Sequence, residues 1–406
     1  MEIKSAIGKQ ICINCYVYKI RRASGITFVT LRYNSQLLQS VYIPEICTTP
    51  LSEICEGAFI KATATVKEEQ RAPYGFELTL KSFAPLSKPQ TEHPISLTEP
   101  TLGVTLDVNM KNRELTLRHP KESAIIAIKG SAEFAFTQFM EDGGYTRVNT
   151  PNICRTTSDT DYISVRYFSE DASLSKGPDV YKKICMGTFD KVYETGAGYS
   201  SRNKNSTRHL NEFTRLDFET AYTNDLADIA KIITDAINYI LNRISQTKGD
   251  ELQRLGVSIP ESVSIPQITF SEAMDILKKP ASAYELDPTD KAKLCKYSKE
   301  NYNSELVFIT DLPEDERPFY AKNALILLYN GIAVASGSID ISDCDEFKKA
   351  LADKSGYDVL KSAYEYALPP HGGGVIGLER FIMQLLKLEN IRQATLFPRD
   401  LHYLEP

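Results

Sequence analysis

The run PPHGGGVIGLER, Pro369 to Arg380, constrains this chain more than any other segment. Three successive glycines lead into an apolar strand, and glycine lets a backbone come close to a flat or phosphorylated ligand. The strand feeds directly into an amphipathic helix whose first turn carries Arg380. A guanidinium held there offers a planar fork of donors to a terminal phosphate. The same Arg, without a ligand, is a helix-start cation paired to a neighbouring acid. The run IRQATLFPRD, Ile391 to Asp400, follows.

The chain has 406 residues, 42% hydrophobic and 25% charged, which suits one enzyme-sized core plus a smaller module. No apolar run approaches a membrane span, and the N-terminus lacks a signal-peptide pattern. The expectation is a cytoplasmic protein with no membrane partner. Cys12 and Cys15 form a CxxC inside a short apolar strand, without a second pair to complete a zinc site. Reduced, unpaired and buried thiols are the reading for this pair, the other six cysteines being scattered. The net charge of −6 argues against a general nucleic-acid coat. Local basic clusters remain: YKIRR, Tyr18 to Arg22, and SSRNKNSTRH, Ser200 to His209. Each is a solvated loop or a contact surface.

Residues 8–84 read as five short strands rich in Val, Ile, Thr, Tyr and Phe, which suits a small barrel of the OB type. Four prolines without periodicity mark residues 88–103 as a linker. The spacing of Ile125, Ile128, Ala132, Ala135, Phe136 and Phe139 predicts a helix from Pro120, stopped at Gly143-Gly144. An extended run reaches Pro151. Two strands, 191–200 and 211–222, flank the second basic loop. A long helix follows, with Leu226, Ile229, Ile233, Ile237, Ile240 and Ile244 on one face. Residues 246–305 read as polar and broken, with one short helix near 271–279, before strands return.

Taken together, these segments resemble a class IIb aminoacyl-tRNA synthetase of the aspartyl/asparaginyl branch. GGYTRVNTP resembles motif 1, with Pro151 as its marker. VYETGAGYSSRNKNSTRHLNEFTRLDFE resembles motif 2, and the glycine run resembles motif 3. RPFY (Arg317 to Tyr320), ASGS (Ala335 to Ser338), NRELTLRHP and GITFVTLR match stretches typical of that branch. The resemblance covers nearly the whole chain. It implies an α+β fold: an OB-type five-stranded anticodon-binding barrel over 1–87, a linker over 88–111, and an antiparallel-sheet catalytic-type domain over 112–406. It also implies a homodimer built on motif 1. In the barrel it implies RNA contacts by Arg21, Arg22, Phe28 and Gln39, with Phe28 stacking on a base. Core packing is the other reading of Phe28.

Amino-acid activation joins a carboxylate to the α-phosphate of ATP, so such a site needs fixed cations and Mg²⁺. The family's motif 2 strand ends in Phe-Arg-Ala-Glu, whose Arg bridges carboxylate and phosphate and whose Glu holds adenine. Here Tyr199, Ser200, Ser201 and Arg202 stand there. Val375 replaces a glycine of motif 3. Ile326 and Ala333 stand where the Mg²⁺ carboxylates belong, so no metal site is expected. Asp340 stands where an Arg grips the amino acid's side chain. Lys182 matches a Lys that contacts substrate carboxylate, and Arg208, His209, Asp217, Glu219, His371 and Arg380 are retained. Arg208, His209, Gly373, Gly377 and Arg380 are the residues left to hold a nucleotide. ATP is expected to bind weakly and without ordered Mg²⁺.

The leading expectation is a paralogue that keeps the scaffold without standard aminoacylation, acting by binding tRNA or a genuine synthetase. A divergent ATP-dependent ligase is the alternative, with Arg202, Lys176 and Lys204 supplying charge from new positions. A working synthetase is the third reading.

Overall fold

The computed structural model describes residues 3–23, 25–157, 161–203, 205–280, 285–352 and 354–404. The chain divides into two compact units, 1–120 and 121–406.

The first unit is a closed barrel of β1 (Gln10–Ala23), β2 (Ile26–Tyr33), β3 (Gln36–Tyr42), β4 (Phe59–Glu68) and β5 (Phe76–Ser87), in the order β1-β2-β3-β5-β4. Strand alternation sends Ile11, Ile13, Val29, Leu31, Ile60, Ala62, Ala64 and Val66 inward, where all are buried. Closure pairs β4 with β1 and leaves no unpaired edge between them. The expectation that both thiols of the CxxC are buried holds for Cys15 and fails for Cys12, because strand alternation places Cys12 on the opposite, exposed side. All eight cysteines are free thiols. In the proline-rich segment after β5, Ile95 and Leu97 pack with Leu115, and the Tyr18 hydroxyl donates to the Leu97 carbonyl at 2.7 Å.

The second unit is built on an eight-stranded sheet. Its strands are β6 (Thr146–Arg147), β10 (Lys191–Tyr199), β11 (Glu212–Ala221), β12 (Gln267–Thr269), β13 (Leu306–Thr310), β14 (Ala321–Tyr329), β15 (Ile332–Asp340) and β16 (His371–Gly377). Their order is β12-β13-β14-β15-β16-β11-β10-β6. The pairs β12–β13 and β10–β6 are parallel, and the others are antiparallel. A smaller sheet holds β7 (Ile153–Arg155), β8 (Ile163–Tyr167) and β9 (Glu170–Leu174) in the order β7-β9-β8.

Helices α1 (Pro120–Asp142), α3 (Leu226–Thr247) and α4 (Leu378–Leu385) share one apolar core with the large sheet; α2 (Asp179–Cys185) lies at the site described below. The isoleucines at 229, 233, 237, 240 and 244 of α3 are all buried, as their 3.6-residue spacing predicts. Each such side chain contributes about 1.5–3 kcal/mol of burial. Asp225 caps α3 by accepting from the Ala227 amide at 2.9 Å. Gly144, with φ of 76°, turns the chain out of α1.

One expectation fails in the interval 246–305. Residues Gly249–Leu255 and Pro288–Tyr302 form helices beyond the expected one, and the polar composition of Pro288–Tyr302 hid the longer of them. Its start was nonetheless marked: Asp287 and Asp290 make a reciprocal capping box, with Pro288 at the first helical position.

Candidate active site

β10 and β11 form an antiparallel pair, with Gly196 opposite Arg215 and Gly198 opposite Phe213. β11 then pairs with β16, which sets Asp217 opposite Val375 and Glu219 opposite Gly373. Residues 215, 217 and 219 share one face of β11 because side chains alternate. That face carries Arg215, Asp217 and Glu219, all buried.

Helix α2 brings two lysines onto this row. The Lys182 ammonium lies 3.4 Å from both Asp217 and Glu219 and 3.5 Å from Asp179. The Lys183 ammonium lies 2.6 Å from Asp340 and 3.6 Å from Glu219, and packs over the Tyr320 ring. Both lysines are buried. Burial opposes their charge, yet the surrounding carboxylates hold both pKa values above the ordinary lysine value. Burial pushes the Glu219 carboxyl up, and the two ammonium groups pull it back only in part. Neither Glu219 oxygen has a hydrogen-bond partner among the described residues.

Arg215 stands outside the set that the motifs single out. Its Nε donates to Asp217 at 2.9 Å and its Nη2 to the other Asp217 oxygen at 2.7 Å, a two-pronged pair. Nη1 donates to the Lys176 carbonyl at 2.6 Å, and Asp179 lies 3.4 Å from Nη2. A side chain at Gly177 would place its Cβ 2.0 Å from the guanidinium carbon, so the glycine makes room for this Arg. Burial works against ionising Asp179, but Arg215 and then Lys182 hold its carboxyl well below the usual range.

Beside this cluster lies a cavity of about 400 Å³. Ser200, Arg202, Arg208, His209, Arg215, Val375, Gly377 and Arg380 line it, together with Ile326 and Ala333. Arg380 donates to the carbonyls of Arg208 at 3.2 Å and Ala333 at 3.3 Å. Burial, then the nearby Arg202 and Arg208, lowers its pKa from the ordinary value. The His209 ring nitrogen Nδ1 sits 2.6 Å from the Ser206 hydroxyl. Arg202 is exposed and pairs with Asp161 at 2.9 Å.

The expected residues thus fall into two groups. Ser200, Arg202, Arg208, His209, Val375, Gly377 and Arg380 meet at the cavity. Lys182, Asp217, Glu219, Asp340 and His371 form the buried floor, where Lys182 is engaged by protein carboxylates. Gly373 belongs with the floor: a Cβ there would meet Glu219 Oε2 at 2.3 Å. Lys176 lines both this cavity and a larger one of about 1080 Å³, bounded also by Tyr162, Asp179, Arg317, Tyr320 and Tyr357. Lys204 lies outside the described residues. In the barrel, Phe28 points away from the buried Val29 and Leu31, and the Arg21 guanidinium sits 5.1 Å from its ring centre. Gln39 pairs in register with Thr30, on the face that Phe28 shares, and donates to Glu77 at 3.1 Å.

Glu219, Asp340 and His371 present donor atoms within 4.8 Å of one another, the spacing of a cation site. Lys183 already places an ammonium against Asp340 and Glu219, so an ion there would have to displace it.

The chain from residue 105, ahead of α1, to residue 401, beyond α4, matches one family model, tRNA synthetases class II (D, K and N). The chain belongs to that family. It is 29% identical to an aspartate–tRNA(Asp) ligase of Pyrococcus furiosus, across 98% of this chain and 97% of that one. It is also 29% identical to an aspartate–tRNA(Asp/Asn) ligase of Deinococcus radiodurans, across 100% and 98%. The solved asparaginyl-tRNA synthetase of Pyrococcus horikoshii complexed with asparaginyl-adenylate shares the fold. Its TM-score is 0.89 at 23% identity, covering 99% of this chain and 97% of that one. This is therefore an aspartyl/asparaginyl-tRNA-synthetase-like protein. Among the described residues, no helix is long and apolar enough to cross a membrane.

Proposed function

We propose that this synthetase-like chain does not carry out standard aminoacylation with aspartate or asparagine, and that its amino-acid pocket has been rebuilt. The observation that carries this is the Lys183–Asp340 pair, 2.6 Å apart and buried. By resemblance the family grips the substrate side chain with an Arg at position 340. A carboxylate there repels the side chain of aspartate, and the lysine that balances it is already engaged. Ser200 offers no charge between the substrate carboxylate and the α-phosphate, where one preorganised donor is worth about 10²–10³ in rate.

On this reading the protein works by binding. The Arg21–Phe28 pair and Gln39 lie on one outer face of the barrel and suit single-stranded RNA, a tRNA in the first instance. Phe134 on α1 and Ile153 on β7 are exposed apolar side chains in the motif 1 region, as expected of a surface that meets a second copy or a genuine synthetase.

Pyrophosphate exchange tests the reading. Neither aspartate nor asparagine should drive exchange of label into ATP, and neither should be charged onto tRNA. Exchange with either would overturn it. A second reading is favoured by Arg215, which lines the same cavity as Ser200 and adds a guanidinium that the motifs do not single out. It makes the protein a divergent ATP-dependent ligase for another carboxylate. Exchange driven by a different amino acid would select it.

A further inference from the structure

The 400 Å³ cavity differs from the floor in one respect: its charges are nearly all of one sign. Lys176, Arg202, Arg208, Arg215 and Arg380 line it, and Glu379 is the one carboxylate among the described lining residues. Glu379 faces elsewhere. Its Oε1 accepts from Lys129 at 2.6 Å and from the Thr214 hydroxyl at 2.7 Å, and its Oε2 from the Thr214 amide at 2.9 Å. Arg215 is matched by Asp217, and Arg202 by Asp161. Arg208 and Arg380 have no carboxylate in ion-pair reach among the described residues, and Arg380 is satisfied only by two backbone carbonyls. Lys291 adds to the field. Burial lowers its pKa, Glu316 and Glu285 raise it, and Arg208 and Arg380 lower it.

Divalent magnesium requires oxygen ligands in near-octahedral array. At the positions where the resemblance puts its carboxylates, Ile326 and Ala333 line the cavity with hydrocarbon. The donor set does not fit the ion. A cation entering here would also meet Arg208 and Arg380 with no carboxylate to screen them.

We propose that this cavity binds an oligophosphate, as the chain of a nucleoside triphosphate or as free pyrophosphate or tripolyphosphate, without a divalent cation. Arg208 and Arg380 take the place of the metal, with Arg202 and Lys291 adding to the field. This deepens the reading above and rests on it for the location of the ligand site. The basis is substitution of charge. A triphosphate carries about four negative charges, which a site of fixed guanidinium groups neutralises by paired hydrogen bonds. Base recognition is weak, because Arg202 stands where the family's adenine-binding Glu belongs and Val375 lines the wall.

The test is calorimetric titration of the full chain at constant ionic strength with ATP, GTP, tripolyphosphate and pyrophosphate, in EDTA and in excess Mg²⁺. Metal-free ligand should bind, and excess Mg²⁺ should weaken binding at least tenfold, or about 1.4 kcal/mol. ATP and GTP should differ by less than about tenfold. Equal binding of tripolyphosphate marks the phosphate chain as the recognised part, and binding of ATP and GTP alone marks the nucleotide as the source. Arg380→Ala should lose most of the affinity. Arg208→Ala, on a half-exposed side chain, gives the same reading should the first variant unfold. Ile326→Asp with Ala333→Glu should shift preference toward the Mg²⁺ complex. Binding abolished by EDTA, or no metal-free binding at millimolar ligand, would overturn the proposal. Charging of tRNA with aspartate would instead overturn the reading of the preceding subsection, so the two failures are distinct.

Discussion

The floor of the site and the cavity beside it balance their charges in opposite ways. In the floor, each buried charge on the strand face has a partner of opposite sign. Asp340 is met by Lys183, and Arg215 by Asp217. In the cavity Ile326 and Ala333 supply only hydrocarbon, and Glu379 is the one acid among the described lining residues. A buried charge left alone costs several kcal/mol, whereas a cation facing an open cavity can be solvated. Burial therefore requires compensation in the floor, whereas the cavity can carry charges mostly of one sign.

The sharpest way to break this contrast is Lys183→Met. It leaves Asp340 buried without its ammonium and Glu219 with Lys182 alone, and should cost about 3–5 kcal/mol of stability, read from urea unfolding. Lys183→Gln with Asp340→Arg should recover most of the loss. A single variant as stable as wild type would show that the floor is not held by charge pairing.

Gly177→Ala should cost about 1–3 kcal/mol, because the new methyl group occupies the place of the Arg215 guanidinium. Combining it with Arg215→Ala should relieve the crowding. Additive losses in the pair would mean that the two residues do not share that space.

Acid sensitivity sharpens the contrast further. The Asp179 carboxyl lies below its ordinary value of 3.8, because Arg215 and Lys182 overcome the effect of burial. Its contribution is present above pH 3.8 and is lost as the pH falls through the lower folded-state value, since the unfolded chain takes up the proton first. Asp179→Asn should lower stability near neutrality and flatten the acid limb below pH 4 in circular dichroism. Parallel limbs for the two proteins would remove Asp179 from the account.

The smallest effect is expected on the cavity side. Arg202→Ala breaks an ion pair between partly exposed side chains and should change stability by less than about 1 kcal/mol, vanishing at high salt. A larger loss would mean that Arg202 is structural.

The fold was legible because its signals are local and periodic. The isoleucine stripe of α3, the alternation in β1 to β5 and the stop at Gly143-Gly144 each follow from a few neighbouring residues. The helix 288–302 was masked because its propensity is ordinary and its apolar face narrow, although Asp287, Pro288 and Asp290 announce its start. The candidate site was legible only as a set of positions. Motif spacing gathered Arg208, His209, Val375 and Arg380 at the cavity, but gave no sign that Asp340 is answered by Lys183 on a distant helix. Arg215 did leave a trace. Charges at 215, 217 and 219, two residues apart on an apolar strand, indicate a charged face turned inward. Phe28 needed the register of β2 to settle its facing, which composition does not supply.

The Lys183–Asp340 pair also bears on the history of the pocket. If the ancestral floor held an arginine at 340 and a neutral residue at 183, the change required two substitutions in some order. Replacing the arginine first would have stranded Asp340 beside Glu219. Acquiring the lysine first would have set it near an arginine, though with Glu219 at hand to share. The second route has the shallower intermediate. On that premise Lys183 cannot now be removed alone without leaving Asp340 buried beside Glu219, at about 3–5 kcal/mol. On the same premise the pocket behaves as a ratchet, because the lysine cannot be lost before the aspartate that it balances.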